Sequence, residues 1–420
     1  MSRMRQAFGI LLFLLIWGVS VTAADSLDRS EATAAEADES QTKNDQATWN
    51  KFENDFFTLR VGGGFLTDTA AYAQDQESAR QMTLNPTVKL RDFRFLFKGA
   101  FKKAPRLSYS IGYMYDGAAD NWRFRQTGLM IDVPELNGNF FIGRTKEGFS
   151  TSKIMVGYNG WTNERAAAND AMLPILADGI KWTGGGYGGK LVYNLGVFTN
   201  ALTPNEQSYV KNDEQAVARA VWLPFAQSES PRVLHLAAEI RHGSSLDGKF
   251  QYRSKPESFA AQSYAVDTGK FAAQSSDMYG LEAYYRPNQL MFGSEYFWSQ
   301  VSSSEARDPL FQGGEVFAAY ILTGEVRPYN EKGAYFEMVS PSRSVFQGGT
   351  GALELVLRYS YVDMDSGEIH GGKFRRITPM LNWHLSNNMR FELVYGYGEL
   401  DRDGLKGATQ FFQTRLQFQL

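Results

Sequence analysis

Arginine is the residue type in this chain best placed to do chemistry. Arg60, Arg94, Lys98, Arg144, Lys181, Arg219, Arg241, Arg286, Arg358, Arg376 and Arg415 each read as standing on the polar side of a segment whose alternate residues are apolar. Asp92, Glu239, Glu282, Glu295, Glu315, Glu354 and Glu392 fall on the same side, so bases exceed acids by eleven to seven. A guanidinium is a planar fork of donors that binds phosphate or carboxylate bidentately. Rings of Arg and Lys are also how a pore favours anions. The competing role is structural: the charges pair with one another and keep the face wet. Arg358 is four residues from Glu354 and Arg241 two from Glu239, and both pairs invite that reading.

A face that repeats every second residue belongs to a β-strand. The last stretch, TQFFQTRLQFQL, is the clearest case. Phe412, Leu416, Phe418 and Leu420 lie on one side; Gln413, Arg415, Gln417 and Gln419 lie on the other. About ten residues of this kind span a bilayer when tilted. Sixteen such segments are legible, running from 57–66 through 233–242 and 352–363 to 409–420. Short connections such as Gly188-Gly189 and Pro287-Asn288 alternate with long ones such as 145–179 and 243–277. Bacterial barrels have short inner turns and long outer loops. The exception is 324–351, a long connection where a short one is due. The expected fold is therefore all-β: a transmembrane antiparallel β-barrel of about sixteen strands over residues 56–420. Its inward face is expected to be Gly, Ser, Gln and charge. A secreted β-sandwich is the competing architecture, since alternation occurs there too.

The rest of the chain agrees. Residues 1–24 carry Arg3 and Arg5, an apolar run and a small-x-small site, so a signal peptide cleaved near Ala23/Ala24 is expected. Residues 25–55 are acidic and Ala-rich and read as a disordered periplasmic leader. Net charge is −3, which speaks against a nucleic-acid partner. There is no cysteine, and the four His do not form a ligand pattern, so no metal or other cofactor is expected. His384 with Asn382 faintly suggests a barrel hydrolase, but no Ser or acid accompanies them at a useful spacing. The Asp363 to Glu368 stretch reads as a solvated hairpin loop rather than a calcium loop.

Three windows in order resemble the phosphate-selective porin O/P family: Ser230 to Glu239 (SPRVLHLAAE), Tyr320 to Tyr329 (YILTGEVRPY) and Gly351 to Ser360 (GALELVLRYS). The weaker resemblance covers roughly 57–420 and implies an outer-membrane, homotrimeric, passive channel for small anions, phosphate or similar. It implies contact with lipid and lipopolysaccharide, and an assembly machinery that reads the C-terminal strand. It also implies a third outer loop folded into the barrel. Gly148-Phe149-Ser150-Thr151-Ser152-Lys153 is similar to the start of that loop and Trp161 to Arg165 to its continuation. On that resemblance Lys153 and Arg165 are the expected constriction residues, with Arg144, Arg60, Arg91, Arg94 and Arg358 lining the approach. The family's adjacent Arg pair is Arg91-Asp92 here, and Glu147, Glu164, Asp170 and Asp178 offset the loop's bases. A general mixed-solute porin is the alternative, and an outer-membrane barrel enzyme a more distant one.

Overall fold

The computed structural model describes residues 49–155, 157–199, 212–225 and 231–420. The expected signal segment and residues 25–48 of the expected leader lie outside the described residues. The end of that leader differs from expectation. Lys51–Glu53 is a strand, antiparallel to Thr58–Arg60, because the first wall strand outruns its other partner and leaves backbone groups to be paired.

Sixteen long strands form the wall. They are β1 (Thr58–Gln74), β2 (Thr87–Phe101), β3 (Ala104–Asp116), β4 (Asn121–Val133), β5 (Gly138–Thr145), β6 (Ala177–Gly186), β7 (Leu191–Thr199) and β8 (Asn212–Phe225). After them come β9 (Val233–Ser245), β10 (Ser275–Arg286), β11 (Leu290–Ser302), β12 (Leu310–Ile321), β13 (Ala352–Ser366), β14 (Ile369–His384), β15 (Met389–Arg402) and β16 (Leu405–Gln419). Each strand is antiparallel to the next, and β1 pairs with β16 from Gly64↔Gln419 to Gln74↔Thr409. That last pairing closes the ring and removes both sheet edges. Short helices sit in the connections: α1 (Gln76–Gln81), α2 (Thr151–Ile154) and α3 (Ala167–Met172).

The outward face is apolar, as the alternation requires: Leu281, Val316, Leu357, Leu393 and Phe412 are all exposed on it. The inward face is less polar than expected. Phe297, Phe311, Phe317, Phe374 and Phe411 point inward and are buried. They have something to bury against, since long connections fold into the ring. Toward one mouth, inward residues of β10 to β16 pack on α3 and on Met82 and Leu84 of the β1–β2 connection. Toward the other, Val221, Tyr284, Met291, Phe317, Val356 and Met380 pack on Trp161, Tyr329 and Phe336. A charged layer separates the two apolar layers. Glu282 lies between Met278 and Tyr284 on β10, Glu295 between Met291 and Phe297 on β11, and Glu315 between Phe311 and Phe317 on β12.

The other part of the wall is different. On β2 to β4 and β6, the inward residues Lys98, Ser108, Arg125, Met130, Asp132 and Lys181 remain partly or fully exposed. Solvent therefore reaches the interior along this side.

Candidate pore constriction

Residues 146–176, between β5 and β6, make their hydrogen bonds to inward side chains around the ring. The entry needs glycine: Gly148 has φ +94°, and a Cβ there would press on Asn194. Three consecutive amides then meet three carboxylates from adjacent strands. Ser150 N–H donates to Glu239 at 2.5 Å, Thr151 N–H to Glu282 at 2.7 Å and Ser152 N–H to Glu295 at 2.8 Å. The Thr151 hydroxyl adds a bond to Glu282 at 2.6 Å and the Ser150 hydroxyl one to Glu295 at 2.6 Å. Buried carboxylates are costly unless hydrogen-bonded. These donors meet both oxygens of Glu282 and Glu295 and one of Glu239, and the same bonds seat the first turn of α2.

The far end of the loop is held by arginines. Arg415 forks onto Asp68 at 2.6 Å and 2.6 Å and also pairs with Glu164. Arg91 reaches Glu164 at 2.7 Å and 2.9 Å. It can do so because it is the extra residue of a bulge: Leu66 faces Asp92 and Thr67 faces Leu90, so Arg91 has no partner and turns inward. Charge-assisted hydrogen bonds of this kind contribute about 1.5–3 kcal/mol each.

Between these anchors the loop presents cations to the wet wall. Lys146 donates to the carbonyls of Ile154, at 2.9 Å, and Met155. Arg165 donates to the carbonyls of Ser152 at 2.6 Å and Met155 at 3.5 Å. Burial, with Arg165, Arg125, Arg94 and Lys181 around it, holds the Lys146 amine well below the usual lysine value. Burial likewise lowers the Arg165 guanidinium, although Asp170 opposes the shift. Among the described residues no carboxylate makes a salt bridge with Arg125, Lys146 or Arg165. The nearby acids are already engaged: Asp170 with Lys153, and Glu164 with Arg91 and Arg415. Arg125, Lys146, Arg165 and Lys181, all partly exposed, thus face a gap between loop and wall with the buried Arg94 behind them, an arrangement that attracts an anion and repels a cation.

The residues singled out from sequence scatter around this cluster. Arg94 and Arg165 belong to it; Arg94 rests on Asp92 at 2.5 Å and over the Tyr158 ring. Arg91 stands beside it as an anchor. Arg358 is fully buried behind the loop, bound to Glu257 at 2.5 Å and to the Glu164 carbonyl at 2.8 Å. Its expected partner Glu354 goes instead to Arg327, and Arg241 takes Glu147 at 2.7 Å rather than Glu239. Lys153 is buried and paired with Asp170 at 2.9 Å within the loop, so it does not face the gap. Arg144 is buried at the end of β5, bound to Asp178 at 3.0 Å and to the Phe124 carbonyl at 3.1 Å, and so stands apart from the cluster. The positive φ of Gly143 marks the irregular backbone there. Arg60 lies across from Lys98, near the end at which β1 begins.

Arg125 and Lys146 were not among the expected site residues. Trp122, Arg123, Phe124 and Arg125 do alternate, but a bulge between Phe124 and Thr127 breaks the phase and hides the signal. Lys146 follows directly on β5 and has no periodicity to read.

Comparison with known proteins comes to the same architecture. The family model for phosphate-selective porin O and P matches residues 57–420. An uncharacterised protein of Caulobacter vibrioides is 30% identical over 243 residues, which is 56% of this chain and 48% of that protein, so the match spans about half the relative's length. Among solved structures, OmpT of Vibrio cholerae superposes with a TM-score of 0.54 at 11% identity, covering 88% of this chain and 99% of that one. The anion-selective porin of Comamonas acidovorans gives 0.52 at 13%, covering 86% and 100%. At such identities the likeness is one of fold alone.

Proposed function

The chain belongs to the phosphate-selective porin O and P family, and from that premise we propose that it is an anion-preferring channel whose filter is the cluster Arg94, Arg125, Lys146, Arg165 and Lys181. It is an outer-membrane porin, a passive channel, and the porin fold and family point to transport rather than catalysis. The observation that carries the anion reading is the imbalance at the gap: Arg125, Lys146 and Arg165 have no carboxylate in salt-bridge contact among the described residues, while the buried Arg219, Arg327, Arg358 and Arg415 each have one. A solute meeting the loop finds unmatched positive charge in a confined, partly dehydrated space, where Coulomb attraction is stronger than in bulk water. Farther along the same wall Lys98 and Arg60 continue the positive lining.

A homotrimer fits the reading, since OmpT of Vibrio cholerae is known in a trimer form and the family resemblance implies one. Export by a signal peptide over 1–24, with 25–48 as a periplasmic leader, completes the proposal. The test is the reversal potential of the purified protein in a planar bilayer under a salt gradient. Anion preference that falls when Arg125, Lys146 and Arg165 are neutralised supports the filter. A channel that prefers cations, or one indifferent to all three substitutions, refutes it.

A further inference from the structure

The connection between β12 and β13, residues 322–351, also folds into the ring, and from the mouth opposite to the one at which the constriction loop begins. Its hairpin pairs Tyr329–Asn330 with Tyr335–Phe336. The two insertions meet inside the barrel. Arg327 donates to the carbonyl of Asn159, in the constriction loop, at 2.9 Å, and to that of Glu337, in its own connection, at 2.8 Å. The same guanidinium grips Glu354 of β13 at 2.7 Å and 2.7 Å. Beside it Trp161 of the loop stacks on Phe317 of the wall, centroids 4.4 Å apart, with Phe336 of the hairpin against its edge at 6.2 Å.

A second link runs through the wall. The Tyr329 hydroxyl lies 2.7 Å from His235, whose other ring nitrogen lies 2.9 Å from Glu282, the carboxylate that seats Thr151. Arg219 touches both insertions, at the Thr151 hydroxyl (2.7 Å) and the Ala334 carbonyl (3.4 Å).

Why this matters follows from how the loop is held. Its start has three glutamates and its end has Arg91 and Arg415. Its middle is held at four consecutive residues: Tyr158 donates its hydroxyl to Asp92 at 3.0 Å, and the carbonyls of Tyr158, Asn159, Gly160 and Trp161 accept from Gln417 at 3.1 Å, Arg327, Arg390 at 2.6 Å and Asn382 at 2.8 Å. Gln417, Arg390 and Asn382 belong to strands of the wall; Arg327 is the donor among the four that belongs to a connection between strands. Its position therefore adds to the wall's hold on the middle of the loop the one contact that a shift of the connection would break.

We infer that the β12–β13 connection is a latch that holds the constriction loop against the packed side of the barrel, with Arg327 as its positioning residue. The inference rests on the proposal that this loop sets conductance and selectivity. Opening the latch lets the loop middle move, which widens the gap and loosens the cation cluster without touching a residue of the filter.

The chain has no cysteine, so an introduced pair forms a single defined bridge. The Asn159 and Glu337 carbonyls accept from one Arg327 nitrogen, which brings those backbones side by side. Removing Arg327 alone strands the buried Glu354, so the variant to build is Arg327→Met with Glu354→Met, which removes both charges and keeps the volume. As a full-length, refolded channel it should show about twofold higher single-channel conductance, more open-channel noise and weaker anion preference. Adding Asn159→Cys and Glu337→Cys and oxidising should return all three to parental values, and reduction should release them. Phe336→Ala, which leaves every buried charge paired, should shift the same readouts in the same direction. A folded Phe336→Ala channel with parental conductance, noise and selectivity overturns the latch, as does a bridge that restores nothing. The filter is judged separately: if neutralising Arg125, Lys146 and Arg165 changes selectivity while the latch variants change nothing, the filter stands and the latch falls.

Discussion

Lys146 and Arg165 donate to the same acceptor, the carbonyl oxygen of Met155. Two like charges are thus gathered on one oxygen, with Arg125 across the gap. Together they satisfy carbonyls at the end of α2, but the repulsion between them works against the arrangement. A permeating anion relieves it. Neutralising any one of the three should weaken anion attraction by about 1 kcal/mol, the scale for a charge at a few ångströms in a wet site. The permeability ratio of chloride to potassium should fall several-fold in each of Arg125→Gln, Lys146→Gln and Arg165→Gln, read from reversal potentials. Lys153→Gln combined with Asp170→Asn should leave the ratio unchanged, because those two charges are spent on each other.

The same crowding predicts a pH response. Burial and the surrounding cations place the Lys146 amine well below the ordinary lysine range. It therefore loses its charge, as pH rises, earlier than a free lysine does. Anion preference should decline in that window, and Lys146→Met should flatten the decline. The stability sign is opposite to the selectivity sign. In the window the unfolded chain binds the proton and the folded chain does not, so folding gains stability as pH rises through it. A decline in selectivity accompanied by unfolding would point to a different group.

How far the sequence carried these conclusions depends on distance along the chain. The wall was legible because each strand writes its own faces, as Phe412, Leu416 and Phe418 against Gln413, Arg415 and Gln417 do. The Arg358 partner was not. Glu354, four residues away on the same face, was the near choice; the true partner, Glu257, comes from the β9–β10 connection 101 residues upstream. The packed side was hidden for a related reason. Leu290, Phe292, Tyr296 and Trp298 against Gly293 and Glu295 alternate clearly, but the pattern gives no reason for Phe297 to stand on the inward face until that face is seen to have a loop to bury against. Bulges account for the remainder, since at Arg91 and near Arg125 one extra residue changes which side chain enters the lumen.

Arg415 offers a stability test. Its guanidinium is buried and binds Asp68 bidentately, with Glu164 as a third partner. Breaking a buried pair from one side leaves an uncompensated charge and costs about 3–5 kcal/mol. Arg415→Met should lower the temperature at which the folded barrel loses its heat-resistant gel mobility. Protease should then cut more readily between 157 and 165, because Glu164 has lost one of its two anchors.

The glutamate cradle should be more sensitive still, and in a graded way. Glu282 accepts from the Thr151 amide and hydroxyl and from Arg219, and lies against His235. A glutamine there keeps the shape but turns one acceptor into a donor, which then faces a donor. Glu295 accepts the Ser152 amide and the Ser150 hydroxyl, and a glutamine creates the same conflict. Glu282→Gln should release the start of the loop more than Glu295→Gln does, since it also leaves the buried Arg219 without its carboxylate. Released loops should appear as larger, noisier conductance with reduced anion preference. Glu399→Gln supplies the contrast: its partner Arg375 is exposed on the outward side, where solvent screening leaves such pairs with little net effect. If all three variants conduct alike, Glu282 and Glu295 do not hold the loop, and its position must come from other contacts, among them the apolar ones of Phe149 and Trp161.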